Sequence, residues 1–198
     1  MGIFEDKVRK YNARLMKDFQ ITEVQACGIW GNLGTETGGF TALQEKNPVV
    51  KGSRGGYGWM QWTGPRRKKY ESWTKSKGLN ASDDETNYLY LVHETLTDEW
   101  KSLAQLRKTT TLEAATETFC KLNLRPGVVN LKSRVAYAKK AQDALKSNKG
   151  TLATGAVIAT AGTATAAAYA PTNYLPYIAA GLAVAGIIAA VIYFLKGK

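Results

Sequence analysis

Metal-binding side chains are scarce in this 198-residue chain, which has one histidine, His93, and two cysteines, Cys27 and Cys120. A zinc site needs three or four such ligands, so one built from His and Cys is excluded, and no metal or cofactor is expected. The cysteines form no CxxC pair, and each falls in an apolar helical pattern. Two buried thiols are therefore expected, and no disulfide between them is derivable. The opening MGIFEDKVRK carries charge at Glu5, Asp6 and Lys7, so no apolar secretory leader is expected there. Asp6 stands where a myristoylation pattern from Gly2 needs Ser or Thr. The largest absence is charge: from Thr151 to Leu195, 45 residues carry none. A soluble domain rarely runs that long uncharged, so the chain divides into a domain over 1–149 and a membrane region over 150–198.

What charge there is lies mostly in the first part. Of the 27 basic residues, Lys196 and Lys198 lie in the tail, while all 16 acidic residues precede position 150, so residues 1–150 carry +9. A basic domain suits an anionic partner: nucleic acid, an anionic membrane surface or bacterial cell wall. No helix carries a Lys/Arg stripe with a recognisable reader motif, so nucleic acid is not expected.

Apolar spacing close to four (Ile3, Phe4, Val8, Tyr11, Leu15, Phe19) predicts an amphipathic helix over 3–19. Thr22 followed by Gln25 predicts a capping box opening a second helix through about Thr35. That helix holds Gly28, Gly31 and Gly34, spaced by three, a face that permits close packing or approach by a ligand. Glu36 lies at its end, and Gly38-Gly39 stops it. Residues 38–66 are glycine-rich, with Pro48, Pro65 and GSRGGYG, and predict loop with a small hairpin around Ser53–Gly56. Helical pattern returns at Arg66–Lys77. Ser82-Asp83-Asp84-Glu85 caps a helix with Tyr88, Leu91, Val92 and Leu96. A short helix runs from Asp98 to Leu106. Thr110 or Thr111 caps the next, with Leu112, Ala115, Phe119 and Leu122 inward. After a turn at Arg125-Pro126-Gly127, Asn130 caps a helix ending near Lys149. The domain is mainly α (α+β), with one small β-element.

As one helix, the uncharged tail would be about 68 Å long, twice the ~30 Å hydrocarbon core. YAPTNYLPY interrupts it with two prolines, which predicts a transmembrane helix or helical hairpin. Residues 174–195 make the strong span, with Tyr174 and Tyr177 at one edge and Tyr193 at the other. The Ala/Thr/Gly-rich residues 151–170 make a weak span, for which a flexible linker is the alternative. Small residues four apart (Gly155 and Ala159, Gly181 and Ala185, Gly186 and Ala190) allow self-association of membrane helices.

A glutamate at a helix end beside an aromatic-rich loop suits glycoside cleavage, where a partly desolvated carboxyl gives its proton to the leaving oxygen. Trp30, Tyr57, Trp59, Trp62, Tyr70 and Trp73 offer flat apolar faces for sugar rings. Taken alone, such a glutamate is more often a solvated surface group. The run GNLGTETGGF, then Asn47-Pro48, then GGYGWMQWTGPR, resembles the core of the phage tail lysozyme family. The matching elements are Gly31-Asn32, Glu36-Thr37, Asn47-Pro48, Gly56-Tyr57-Gly58, Gln61-Trp62 and Arg66. FCKLNLRPGVVNLKSRVAYA is similar to that family's closing helices, and the hydrophobic tail is outside the likeness.

The resemblance implies a lysozyme-like fold with Glu36 as general acid. It places Tyr57, Gln61 and Thr63 along the cleft, with Trp59 and Trp62 among the substrate-binding candidates; Asn32 is a candidate too, with bracing the cleft from within the helix as its favoured part. Glu45 is the candidate second carboxylate. A water-activating base would sit ~6.5–9.5 Å from the acid, a nucleophile ~5–5.5 Å. The implied protein is a phage endolysin that cuts peptidoglycan glycan strands; the uncharged tail, outside the likeness, adds the expectation that it is held at the host inner membrane and acts in the periplasm after a cytoplasmic wait. Two alternatives stand beside it: a lytic transglycosylase using Glu36 alone, to whose GLMQ element WMQ is similar, and a non-enzymatic wall-binding, holin-like membrane protein.

Overall fold

The computed structural model describes residues 2–48, 50 and 52–155, with side chains to residue 147. Seven α-helices and one π-helical turn account for most of these residues. They are α1 (Ile3–Phe19), α2 (Glu23–Thr37), α3 (Gly64–Ser76), α4 (Asp84–Thr97), α5 (Trp100–Leu106), α6 (Leu112–Phe119), the π turn Cys120–Leu124, and α7 (Leu131–Gly155).

α2 is the axis of the domain. Its capping box forms as the sequence predicts: Gln25 N–H donates to Thr22 Oγ1 at 3.3 Å and Thr22 N–H to Gln25 Oε1 at 3.0 Å. Gly38, at φ 58°, ends it in the left-handed conformation. Nearly every residue of α2 is buried, because α1, α6 and α7 all pack on it. Its glycines serve that packing on two sides. A Cβ on Gly28 would lie 2.8 Å from the Ala115 backbone in α6, and one on Gly31 would lie 2.3 Å from Arg134 O in α7. Backbone thus meets backbone where a side chain would hold the helices apart. Trp30, fully buried, donates its indole N–H to Asn12 Oδ1 at 3.0 Å. A ring of that size contributes on the order of 2–3 kcal/mol by burial.

α1 buries Phe4, Val8, Tyr11, Leu15 and Phe19 as its spacing requires, while Ile3 at the end stays exposed. Two other inward expectations fail for a stated reason. Leu122 is exposed and Cys120 and Asn123 are buried, because the π turn adds a residue and rotates the stripe. Leu96 is exposed because α4 turns Glu94 and Thr95 inward instead. Cys27 and Cys120 are both fully buried, as their apolar patterns predict.

The expected hairpin is replaced by something smaller. Among the described residues there is no strand, only two isolated antiparallel bridges, Gln44 with Tyr57 and Tyr57 with Trp62. Gly52, Gly55, Gly58 and Gln61 all have positive φ, and that backbone cannot carry a period-two ladder further. The last helix also departs from expectation, running past Lys149 to Gly155. Among the described residues no helix is long and apolar enough to cross a membrane. The strong span 174–195 lies wholly outside the described residues, as does the weak span 151–170 beyond residue 155.

Candidate active site

Glu36 sits in the last turn of α2, its side chain 20% exposed. The turn behind it is locked by Thr37, whose buried hydroxyl donates to Leu33 O at 2.7 Å and accepts from Phe40 N–H at 2.8 Å. Glu36 Oε1 accepts from Arg134 Nη2 at 2.7 Å, and Arg134 is 3% exposed. The other terminal nitrogen of Arg134 donates to Asn32 Oδ1 at 3.0 Å. Asn32 Nδ2 in turn donates to Gly28 O at 2.8 Å and Thr116 O at 2.9 Å. One network therefore joins α2, α6 and α7 behind the carboxylate. Burial pushes the nearby Cys120 thiol up, against the opposing pull of Arg134, so this sulfur is a poor nucleophile.

The loop after α2 carries the remaining sequence-predicted residues. Glu45 is half-buried, and its Oε2 accepts from Gly56 N–H at 2.8 Å, while its own N–H donates to Gly56 O at 2.8 Å. The carboxylate thus holds the loop together. Gln61 Nε2 donates to Gly58 O at 2.9 Å and Leu43 O at 3.1 Å. Tyr57 is half-buried, with the Arg67 guanidinium 5.0 Å over its ring. Thr63 is exposed and precedes α3 without a side-chain cap bond.

Three of the predicted substrate contacts lie inside the protein instead. Asn32, Trp59 and Trp62 are fully buried. Trp59 donates its indole N–H to Asp84 Oδ1 at 3.3 Å and Trp62 to Glu94 Oε2 at 2.8 Å. These tryptophans anchor the loop to α4, and Asn32 braces the network behind Glu36. Arg66 has a related part: Nε and Nη2 reach Glu94 Oε1 and Oε2 at 2.8 and 2.7 Å, joining α3 to α4.

Outside the loop's interior, Arg54 makes a two-pronged pair with Glu71 at 2.8 and 2.6 Å, and Arg67 Nε joins it at 2.9 Å. That Arg54 bond holds the Glu71 carboxyl below the usual range; burial opposes it, and Arg67 adds to it. Among the described residues, no three His, Cys, Asp or Glu side chains gather as a metal ion requires.

Arg134 is the site residue that sequence reasoning missed. The closing segment is similar to the family's closing helices, yet nothing local marks one arginine among six basic residues between 131 and 149. The available signal was geometric. Gly31 packs on α7 at Arg134, and that close approach brings the guanidinium to the carboxylate.

The mostly helical domain fits a lysozyme-like fold. Sequence comparison supplies the particular family: the family model described as phage tail lysozyme matches residues 7–145, and the chain belongs to that family. No curated protein matches it.

Proposed function

We propose that this chain is a phage endolysin. It cleaves the β-1,4 bond between N-acetylmuramic acid and N-acetylglucosamine in peptidoglycan, with Glu36 as general acid. The observation that carries the reading is the place of Glu36, partly exposed in the last turn of α2, inside the matched region 7–145. With Oε1 engaged by Arg134, Oε2 is the oxygen left to carry the proton. It delivers that proton to the glycosidic oxygen as the bond from that oxygen to C1 breaks, and the guanidinium stabilises the carboxylate left behind. In hydrolysis, water adds its oxygen to C1 and loses a proton to a second carboxylate, for which Glu45 is the candidate. Tyr57, Gln61 and Thr63 are the proposed sugar-facing side chains, being partly or fully exposed.

A second reading has one observation in its favour. Glu45 already accepts from Gly56 N–H, which suits chemistry by Glu36 alone. In that transglycosylase reaction the muramoyl 6-hydroxyl adds to C1 and its proton returns to Glu36, closing a 1,6-anhydro ring. Mass spectrometry of digests of purified peptidoglycan separates the two. Hydrolysis predicts reducing muramic acid ends, heavier by one water than anhydro ends. A product pool of anhydro ends overturns the hydrolytic reading.

The uncharged residues 151–195 support a further part of the proposal: the chain is tethered to the host inner membrane by the 174–195 span. With Lys196 and Lys198 inside, a single span places the enzyme in the periplasm; two spans leave it waiting in the cytoplasm. Small residues at spacing four in these spans support self-association.

A further inference from the structure

We infer that Asn32 and Arg134 act as one positioning unit for Glu36: Asn32 fixes Arg134, and Arg134 fixes the carboxylate. The inference rests on the reading of Glu36 as general acid. Both N–H groups of the Asn32 amide are committed to carbonyls, Gly28 O at 2.8 Å and Thr116 O at 2.9 Å. Turning the amide over would set its oxygen against those carbonyls, so Oδ1 must face Arg134. Arg134 is held there at 3.0 Å through Nη1, which leaves Nη2 aimed at Glu36 Oε1 at 2.7 Å. The backbone carrying Arg134 is placed with equal strictness, because α7 crosses α2 at Gly31, where a Cβ would stand 2.3 Å from Arg134 O.

A contact kept for stability alone would not look like this. Arg134 is 3% exposed, and its Nε is buried without a hydrogen-bond partner. Apolar side chains of similar volume often replace a buried ion pair with no loss of stability. The retained charge with one donor unmet is accounted for by what the other two nitrogens hold. The unit restricts the Glu36 side chain to one direction, so the proton is presented along one line.

The test uses the full chain acting on soluble, uncrosslinked glycan strands, with kcat and KM measured separately and folding followed by thermal melting. Arg134→Met and Asn32→Ala should each lower kcat by up to about 100-fold, the scale of a small misplacement of a reacting group, with KM little changed. The double variant should be no slower than Arg134→Met, since both act through one unit. Arg134→Lys keeps the charge but not the fork, and should also lose kcat. In Arg134→Ala, guanidinium ion below its denaturing range should restore part of the rate. Wild-type kcat in folded variants, a loss confined to KM, or losses that multiply in the double variant would each overturn the inference. Should Arg134→Met fail to fold, Arg134→Lys carries the test by the same kcat criterion. Glu36→Gln separates this inference from the one beneath it. An active Glu36→Gln overturns the general-acid reading. An inactive one beside unimpaired Arg134 variants overturns the positioning unit alone.

Discussion

Gly31 carries more of this fold than its size suggests. It lies in the middle of a buried helix, where glycine costs about 1 kcal/mol against alanine. That cost is accepted because α7 passes so near: an added methyl would sit 2.3 Å from Arg134 O and 2.7 Å from the Ala138 methyl. Gly31→Ala should therefore destabilise the domain by about 2–3 kcal/mol, the upper range for overpacking, despite its gain in helix propensity. Urea unfolding checks this; an unchanged midpoint would mean that α7 yields freely. Sequence alone brings out the three-residue spacing of Gly28, Gly31 and Gly34 but leaves open whether a ligand or a helix approaches. The answer depends on residues more than 80 positions away, which no local pattern reports. The same distance hides Arg134, 98 residues from Glu36. Trp59 and Trp62 illustrate the converse. Aromatic side chains crowded in a short loop look like a sugar platform, yet each ring is buried and its one N–H finds a carboxylate on α4.

At the scale of elements, local signals are read best where the physics is local. The Thr22/Gln25 capping box, the apolar stripe of α1 and the Gly38 stop depend on neighbours within a few positions, and all are legible. The π turn at Cys120–Leu124 is not, because an inserted residue leaves composition unchanged while rotating every side chain after it. The loop between α2 and α3 is likewise held less by strand pairing than by side chains, among them the pair of Arg54 with Glu71. Its pH behaviour follows from the depressed Glu71 carboxyl. A folded value below the unfolded one means that the unfolded chain binds the proton more tightly. The stabilisation is then complete above the unfolded value of about 4.3 and is lost as pH falls through the lower folded value. Glu71 is 33% exposed, so the effect at neutral pH should be at most about 1 kcal/mol. Thermal melts from neutral pH down to about pH 3 should show a shallower decline for Glu71→Gln than for wild type. Parallel curves would show that the pair contributes nothing to stability.

At the scale of the whole molecule, the chain divides by charge: a basic stretch to about residue 150, then 45 residues without any. That division needs only composition, which is why it is plain in the sequence. The proposed tether makes a direct prediction. The full chain should co-sediment with phospholipid vesicles, and a chain ended at Gly155 should not, while both release fragments from purified peptidoglycan. Equal sedimentation would remove the tether from the account. Glu36 remains the centre. Its place at the end of α2 is legible from the sequence, and its ion pair with Arg134 becomes visible only in three dimensions. The most direct measurement is release of soluble fragments from purified peptidoglycan by wild type and by Glu36→Gln, at equal concentration and with matching thermal melts. The account predicts release by wild type and a loss of at least about 100-fold in Glu36→Gln, the low end for removing a general acid. Equal release by the two proteins would contradict it.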